Sequence, residues 1–400
     1  MRDIDLVIQQ TVRALLQLRG ETAEQSLATQ LVRRFEALDD EGIGTFFNFL
    51  LTELGPNTSL VDEAIEAYRR NRGQVELADL ADAAESKRLR LFRTINTAPG
   101  GISCLLKLRT ELLARRTGSP EFRPIERDLG HLLKSWFNRG FLELRLLDWT
   151  TPAHILEKLI EYEAVHEITG WPDLQRRLAP DRRTFGFFHP LLPNEPIIFI
   201  EVALTRGMAS SIQSLLNTEP QPIDENTDTA IFYSITNCQR GLSGVSFGSF
   251  LIKQVSAVLS SELPQLESFA TLSPIPGFAA WLEEQQPIDT NDRGAVERAC
   301  ANYLLYARRG DLPLDPVARF HLRNGARVER LNWHGDTSEK GQSESHTMLV
   351  NYRYSGQDLE SNHDALVLDG VVMASAAVIE SAGTHTTPAV AVESPDDVAH

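Results

Sequence analysis

Three stretches of this 400-residue sequence carry residue types whose spacing suits chemistry. The first runs from Gln239 to Gly248 (Gln-Arg-Gly-Leu-Ser-Gly-Val-Ser-Phe-Gly). It lies between a strand-like run, Thr229 to Thr236, and an amphipathic helical pattern near Gly248 to Leu263. Glycines at such a place let backbone N–H groups approach a phosphate, and the N-terminus of the following helix adds partial positive charge. Arg240 can neutralise one phosphate; the bland alternative is a tight turn that binds nothing. The run is not a P-loop, because no Gly-Lys-Ser/Thr follows, and it is not a Gly-x-Gly-x-x-Gly fingerprint.

The second stretch is Ser273-Pro274-Ile275-Pro276-Gly277-Phe278, directly after the strand-like Ser268 to Leu272. Two prolines fix φ on either side of Ile275, so a serine just before them has a rigid backbone and a defined direction. A turn serine bonding its own backbone is the competing reading. The third stretch, Asp315 to Gly325, sets His321 among apolar neighbours, with Asn324-Gly325 marking a turn. The same pattern suits a satisfied core histidine. None of the 10 histidines forms an HxxxH or HExxH pair, and Cys104, Cys238 and Cys300 lack Cys-x-x-Cys spacing, so no metal site is expected. Cys238 reads as a small buried hydrophobe, and no serine-hydrolase elbow is expected.

The elements that must position these residues change character along the chain. Ile8, Val12, Leu15 and Leu16, then Leu27, Leu31, Val32, Phe35 and Leu38, repeat at helical spacing before a break at Asp39 to Gly42. Ser59 is placed to cap a helix carrying Val61, Ala64, Ile65 and Tyr68, and Ile102 to Leu113 and Leu129 to Phe137 supply more. Helices with one apolar stripe each must bury them against one another, which makes a bundle. After Thr151 the texture alternates. A helical stretch, Ala153 to Leu178, precedes a hairpin of Phe185 to His189 and Ile197 to Leu204 about a Pro193 to Pro196 turn. A helix near Ala295 to Ala307, an extended region from Phe320 to Trp333, a strand from Met348 to Tyr354 and a closing helix from Asp364 to Ser381 follow. Strands alternating with helices argue an α/β domain.

Composition narrows the partners. The net charge is −16, and from Tyr354 to His400 there are eight acids with no Lys or Arg. Phosphate backbones call for a dense basic face, so nucleic acid is not expected as a partner. No membrane span, export signal or transit peptide is expected, and the protein reads as cytoplasmic.

The three stretches, taken with Phe250-Leu-Ile-Lys253, Asn332-Trp333 and Asn351-Tyr-Arg-Tyr354, resemble the malonyl-CoA decarboxylase family, in that family's order, over most of 150 to 355. The resemblance implies a multidomain α and α/β protein: a helical bundle for oligomerisation at 1–150 and an acyl-CoA N-acyltransferase-like (GNAT-like) catalytic domain at 151–382; the Thr, Pro, Ser and acidic mixture at 383–400 reads by composition as an acidic, disordered tail. It implies malonyl-CoA as substrate, no cofactor, and a homotetramer built as a dimer of dimers. Ser273 and His321 would be the catalytic pair. Arg240, Ser243, Gly244, Val245, Ser246, Phe247, Gly248 and Ser249 would line the substrate, and Ser234, Tyr354 and Asn324 would support the site. Some members carry Glu in the loop where this chain has Ser246, so another group would take any role of that carboxylate. An acyl-CoA-dependent acyltransferase and a non-catalytic malonyl-CoA sensor are the rival readings.

Overall fold

The computed structural model describes residues 3–18, 20–245, 247 and 250–383. The acidic stretch read as a tail therefore lies outside the described residues beyond Gly383. Helices come first: α1 (Asp3–Gln17), α2 (Glu21–Glu36), α3 (Asp40–Glu53), α4 (Thr58–Arg70), α5 (Gln74–Ala84), α6 (Lys87–Asn96), α7 (Gly101–Ala114) and α8 (Arg123–Trp136). Their stripes bury Val12, Phe47, Leu50, Phe92, Leu105 and Leu129 completely. Arg88 of α6 crosses this core, donating to Asp128 of α8 at 2.9 Å and to the Leu50 carbonyl of α3 at 3.1 Å. The break at Asp39 to Gly42 is the start of a further helix, because the Asp39 carboxylate accepts from the Gly42 amide. Asn57, not Ser59, caps α4, since its side chain reaches the amides of Ser59 and Leu60.

The α/β part contains β1 (Glu143–Leu147), α9 (Ala153–Tyr162), α10 (Trp171–Arg177), β2 (Arg182–His189), β3 (Leu192–Thr205), α11 (Ile212–Asn217), β4 (Thr229–Asn237), α12 (Phe250–Glu262), β5 (Ser268–Thr271) and β6 (Ser273–Pro274). Then come α13 (Phe278–Glu283), α14 (Arg293–Tyr306), a small β7–β8 pair (Arg308–Arg309, Leu312–Pro313), α15 (Pro316–Arg323), β9 (Arg327–Asn332), α16 (Glu339–Ser345), β10 (Leu349–Tyr354), α17 (Leu359–Asp369) and α18 (Ala376–Ala382). β1 to β5 lie side by side in sequence order, β10 pairs with both β5 and β6, and β9 pairs with β10. Only β4 and β5 are parallel among the registers described, with Phe232 opposite Thr271. A parallel pair needs a crossover, and here it is the glycine-bearing loop and α12. That strand–loop–helix–strand unit inside a mostly antiparallel sheet makes the domain GNAT-like, as the resemblance implies.

The chain packs as two compact units. The helical one comprises the chain up to Leu142 with His189–Pro193 and Gln239–Ser246; the α/β one comprises Glu143–Phe188, Asn194–Cys238 and the chain from Phe247 onward.

Four expected elements differ. The helix read from 153 to 178 is two, because the Glu163 carboxylate accepts from the amides of Val165 and His166 and turns the chain. The hairpin turn is Pro190-Leu191, and Pro193 to Pro196 lie inside β3. The region from Phe320 onward begins as a helix, since Asp315 caps α15 by accepting from the Ala318 amide at 2.8 Å and Pro316 fills its first turn. The closing helix is also two, separated at Gly370, whose φ of 67° ends α17.

Candidate active site

The fold brings Ser273, His321 and Tyr354 together from three distant segments. Ser273 stands where β5 passes into β6, opposite Val350 of β10. His321 projects from α15, and Tyr354 ends β10. The Ser273 Oγ lies 3.2 Å from His321 Nε2, and His321 Nδ1 lies 2.8 Å from the Tyr354 hydroxyl. Below the imidazole, the Tyr352 ring stacks at 4.7 Å and 25°. All of these groups are buried.

Elements under the site fix its members. Asn351 of β10 donates to the Thr271 carbonyl at 2.7 Å and accepts from Asn332 of β9 at 2.8 Å, which locks β10 between its neighbours. Asp315 caps the histidine helix and also accepts from the Gly277 amide at 3.5 Å, linking α15 to the segment that follows Ser273. Gly325, with φ of 84°, turns the chain after α15; a Cβ there would lie 2.1 Å from the Leu359 carbonyl oxygen, so only glycine fits. Asn324 closes the helix, its amide donating to the His321 carbonyl at 3.1 Å while its side-chain Nδ2 is buried without a partner.

Burial dominates the electrostatics. It pushes His321 down to about 3, so the ring is neutral, and it holds the Tyr354 hydroxyl well above its ordinary value, so that group is protonated in the resting site. Asp315 is raised to about 6, burial outweighing the amides that donate to it. A neutral imidazole between two hydroxyls can move a proton along a line without creating a buried cation.

Ser234 belongs to a different buried network. Its hydroxyl donates to Glu163 at 2.7 Å, and Thr236 donates to the same carboxylate at 3.2 Å. Nothing in the spacing of Glu163 marked it, since Glu157, Glu161 and Glu167 lie close by in the same stretch. Cys238 packs with Leu159, Phe188 and Phe199, and burial raises its thiol well above the ordinary value, which suits an inert core residue.

Within the helical unit the glycine-bearing loop folds tightly on itself. The amides of Leu242, Ser243 and Val245 donate to the carbonyls of Gln239, Arg240 and Leu242, so these three are occupied inside the loop. Arg109 of α7 donates to the Gly241 carbonyl at 2.7 Å and is held by Glu126 at 2.8 Å. Arg240, Ser243 and Gly244 are exposed, whereas Val245 and Phe247 are buried; Ser246, Gly248 and Ser249 lie outside the described residues. Gly244-Val-Ser246-Phe-Gly248 does have Gly-x-Ser-x-Gly spacing, a match the sequence reading missed. An elbow needs a strand running straight into the turn, but β4 ends at Asn237 and a 3₁₀ turn, Arg240–Leu242, intervenes. Gly241 is required by packing, since a Cβ would stand 2.4 Å from the Leu106 carbonyl oxygen. Gly241→Ala should therefore lower stability by about 1–3 kcal/mol, measured by denaturant unfolding; an unchanged midpoint would contradict that close approach.

Among the described residues no group of three or more His, Cys, Asp or Glu is arranged to hold a metal ion. No described helix is long and apolar enough to cross a membrane.

Fold and site together define a GNAT-like catalytic domain following a helical region, with a buried hydroxyl–imidazole–phenol line. The model of the malonyl-CoA decarboxylase C-terminal domain matches residues 140–297 and 285–391, and that of the N-terminal domain matches 54–137. A crystal structure of malonyl-CoA decarboxylase from Agrobacterium vitis superposes with a TM-score of 0.89 at 42% identity, covering 94% of this chain and all of that one. The enzyme of Rhodopseudomonas palustris gives 0.87 at 43%, covering 94% and 99%. Mitochondrial malonyl-CoA decarboxylase of the goose Anser anser anser is 36% identical over 342 residues, 72% of this chain and 68% of that protein. The mouse enzyme is 35% identical over 317 residues, 66% and 64%. The chain belongs to the malonyl-CoA decarboxylase family, and its function is that of a carboxy-lyase acting on malonyl-CoA.

Proposed function

We propose that this chain converts malonyl-CoA to acetyl-CoA and CO₂ through an enolate that His321 protonates with Ser273 assisting. The observation that supports this reading is the line of contacts Ser273–His321–Tyr354, which presents a neutral N–H and two hydroxyls in a buried setting. Cleavage of the bond to the carboxylate releases CO₂ and leaves its electron pair on the α-carbon, delocalised into the thioester carbonyl. That carbonyl is the electron sink, so the remaining tasks are to hold the substrate and to deliver one proton. The enolate carbon is a strong base, and a neutral imidazole N–H is acid enough to protonate it. Water kept from the substrate carboxylate leaves it poorly solvated before cleavage.

In this reading the nucleotide end of the substrate engages Arg240, Ser243 and Gly244, the exposed members of the loop, and the same reading assigns Val245, Ser246, Phe247, Gly248 and Ser249 to substrate binding. Ser234 and Asn324 then act as supports, Ser234 through Glu163 and Asn324 through the end of α15. The boundaries 1–150 and 151–382, a homotetramer and a cytoplasmic location belong to the same proposal; the three cysteines, all buried free thiols, suit a reducing compartment.

The test is production of CO₂ and acetyl-CoA from malonyl-CoA by purified protein with EDTA present. Turnover that EDTA leaves unchanged is the expected result. Turnover abolished by EDTA and restored by a divalent metal would overturn the cofactor-independent mechanism.

A further inference from the structure

Thr271 stands two residues before Ser273 at the end of β5, fully buried. Its Oγ1 accepts from the Tyr352 amide at 3.1 Å and from the Ser273 hydroxyl at 2.8 Å. A hydroxyl oxygen offers two acceptor directions, so both of Thr271's are filled. Ser273, with its proton committed to Thr271, can only accept from the imidazole, and the 3.2 Å contact then requires the proton on His321 Nε2. A neutral imidazole carries one N–H. His321 Nδ1 is therefore an acceptor, and the Tyr354 hydroxyl at 2.8 Å is its donor.

We infer that Thr271 is a positioning residue that sets the direction of this hydrogen-bond chain, from Tyr354 through His321 and Ser273 to Thr271, and thereby selects the Nε2-protonated tautomer of His321. The inference rests on the reading of His321 as the proton donor. In the protonation step the Nε2–H bond breaks as the new C–H bond forms on the enolate, and the Tyr354 proton passes to Nδ1. The ring stays neutral and the negative charge moves to the Tyr354 oxygen. A solvent proton arriving at Nε2 then lets the Nδ1 proton return to Tyr354, so one solvent proton is consumed per turnover. Without the Thr271 acceptor, Ser273 turns its proton to Nε2, the ring proton moves to Nδ1, and the nitrogen beside Ser273 has nothing to give.

The experiment uses the full chain with ¹⁵N-labelled histidine, the His321 signal being the one of 10 lost in His321→Asn. The wild type should show Nε2 as the protonated nitrogen. Thr271→Val, which keeps the shape and removes the acceptor, should invert that pattern and lower kcat roughly tenfold with KM within about twofold, whereas Thr271→Ser should keep both. Thr271→Val also strips the Tyr352 amide of its acceptor, so the same change is made in a Ser273→Ala background. There it should alter kcat by less than about twofold, because a residue acting through Ser273 has nothing left to act on. A wild type protonated at Nδ1, an unchanged tautomer in Thr271→Val, or an equal loss in the Ser273→Ala background would overturn the inference. If Thr271→Val does not fold, the wild-type tautomer decides alone. Failure of the underlying reading shows separately, as wild-type kcat in His321→Asn, because the tautomer is measured without turnover.

Discussion

His321→Asn should lower kcat by about 10²–10⁴-fold, the range typical of losing a general acid, and leave affinity for CoA close to wild type. The reasoning is geometric. The imidazole joins Ser273 and Tyr354 at 3.2 and 2.8 Å and lies flat against Tyr352, so its removal breaks the only line of contacts described between those hydroxyls. Steady-state rates and CoA titration of the variant decide it, and a loss below about threefold would remove His321 from the chemistry. Stability supplies a second readout. Burial holds the folded-state value of His321 near about 3, below the ordinary 6.5, so the unfolded chain takes up a proton that the folded chain refuses. That contribution is fully present above the ordinary value and is lost as pH falls from there toward about 3. The variant should lose less stability over that interval than the wild type does.

Arg177→Met should destabilise the protein by about 3–5 kcal/mol, the cost of leaving a buried charge without its partner. Arg177 donates to Glu201 of β3 at 2.9 Å, to Asp173 at 3.1 Å and to the carbonyls of His166 and Glu167 at 2.8 and 3.0 Å. Arg177 and Glu201 are almost wholly inaccessible, at 1% and 0%. One guanidinium thus fastens the irregular segment between α9 and α10 to the sheet. Burial raises the Glu201 carboxyl even with the arginine present, so its contribution to stability falls as pH rises above its ordinary value. With the arginine gone the carboxyl is raised further, so the two proteins lose stability in parallel up to about pH 8 and the deficit of Arg177→Met should widen only above it. Replacing both partners, Arg177→Met with Glu201→Met, should recover most of the loss, since two apolar side chains leave no buried charge. Denaturant unfolding at several pH values measures all three proteins. A single variant within about 1 kcal/mol of wild type would show that the pair carries no such weight.

The predictions draw on residues that sequence reading found to different degrees. His321 and Ser273 were legible, because a proline-bracketed serine after a strand and a histidine beside Asn-Gly are local patterns that a resemblance could anchor. Arg177, Glu201, Glu163 and Thr271 were not. Each is an ordinary residue type in an ordinary element, and what distinguishes it is a partner 24, 71 or more residues away, or one contributed by a neighbouring strand. Thr271 alone left a trace, since residues two apart on a strand share a face and it precedes Ser273 by two.

Sequence by itself determined the helical first third, the alternating texture after it and the order of the motifs. These follow from hydrophobic period and from proline and glycine, which act over one or two turns of chain. Where elements end was decided by side chains reaching backbone amides, as Asp39, Asn57, Glu163 and Asp315 do. His321 was read as extended and lies on a helix for that reason. Tertiary structure alone decided the line through Tyr354, His321, Ser273 and Thr271 and the neutrality of its imidazole. Both depend on which surfaces exclude water from which polar atoms, and that is set by the packing of α15 against β10 and β6, three elements that no local pattern brings together.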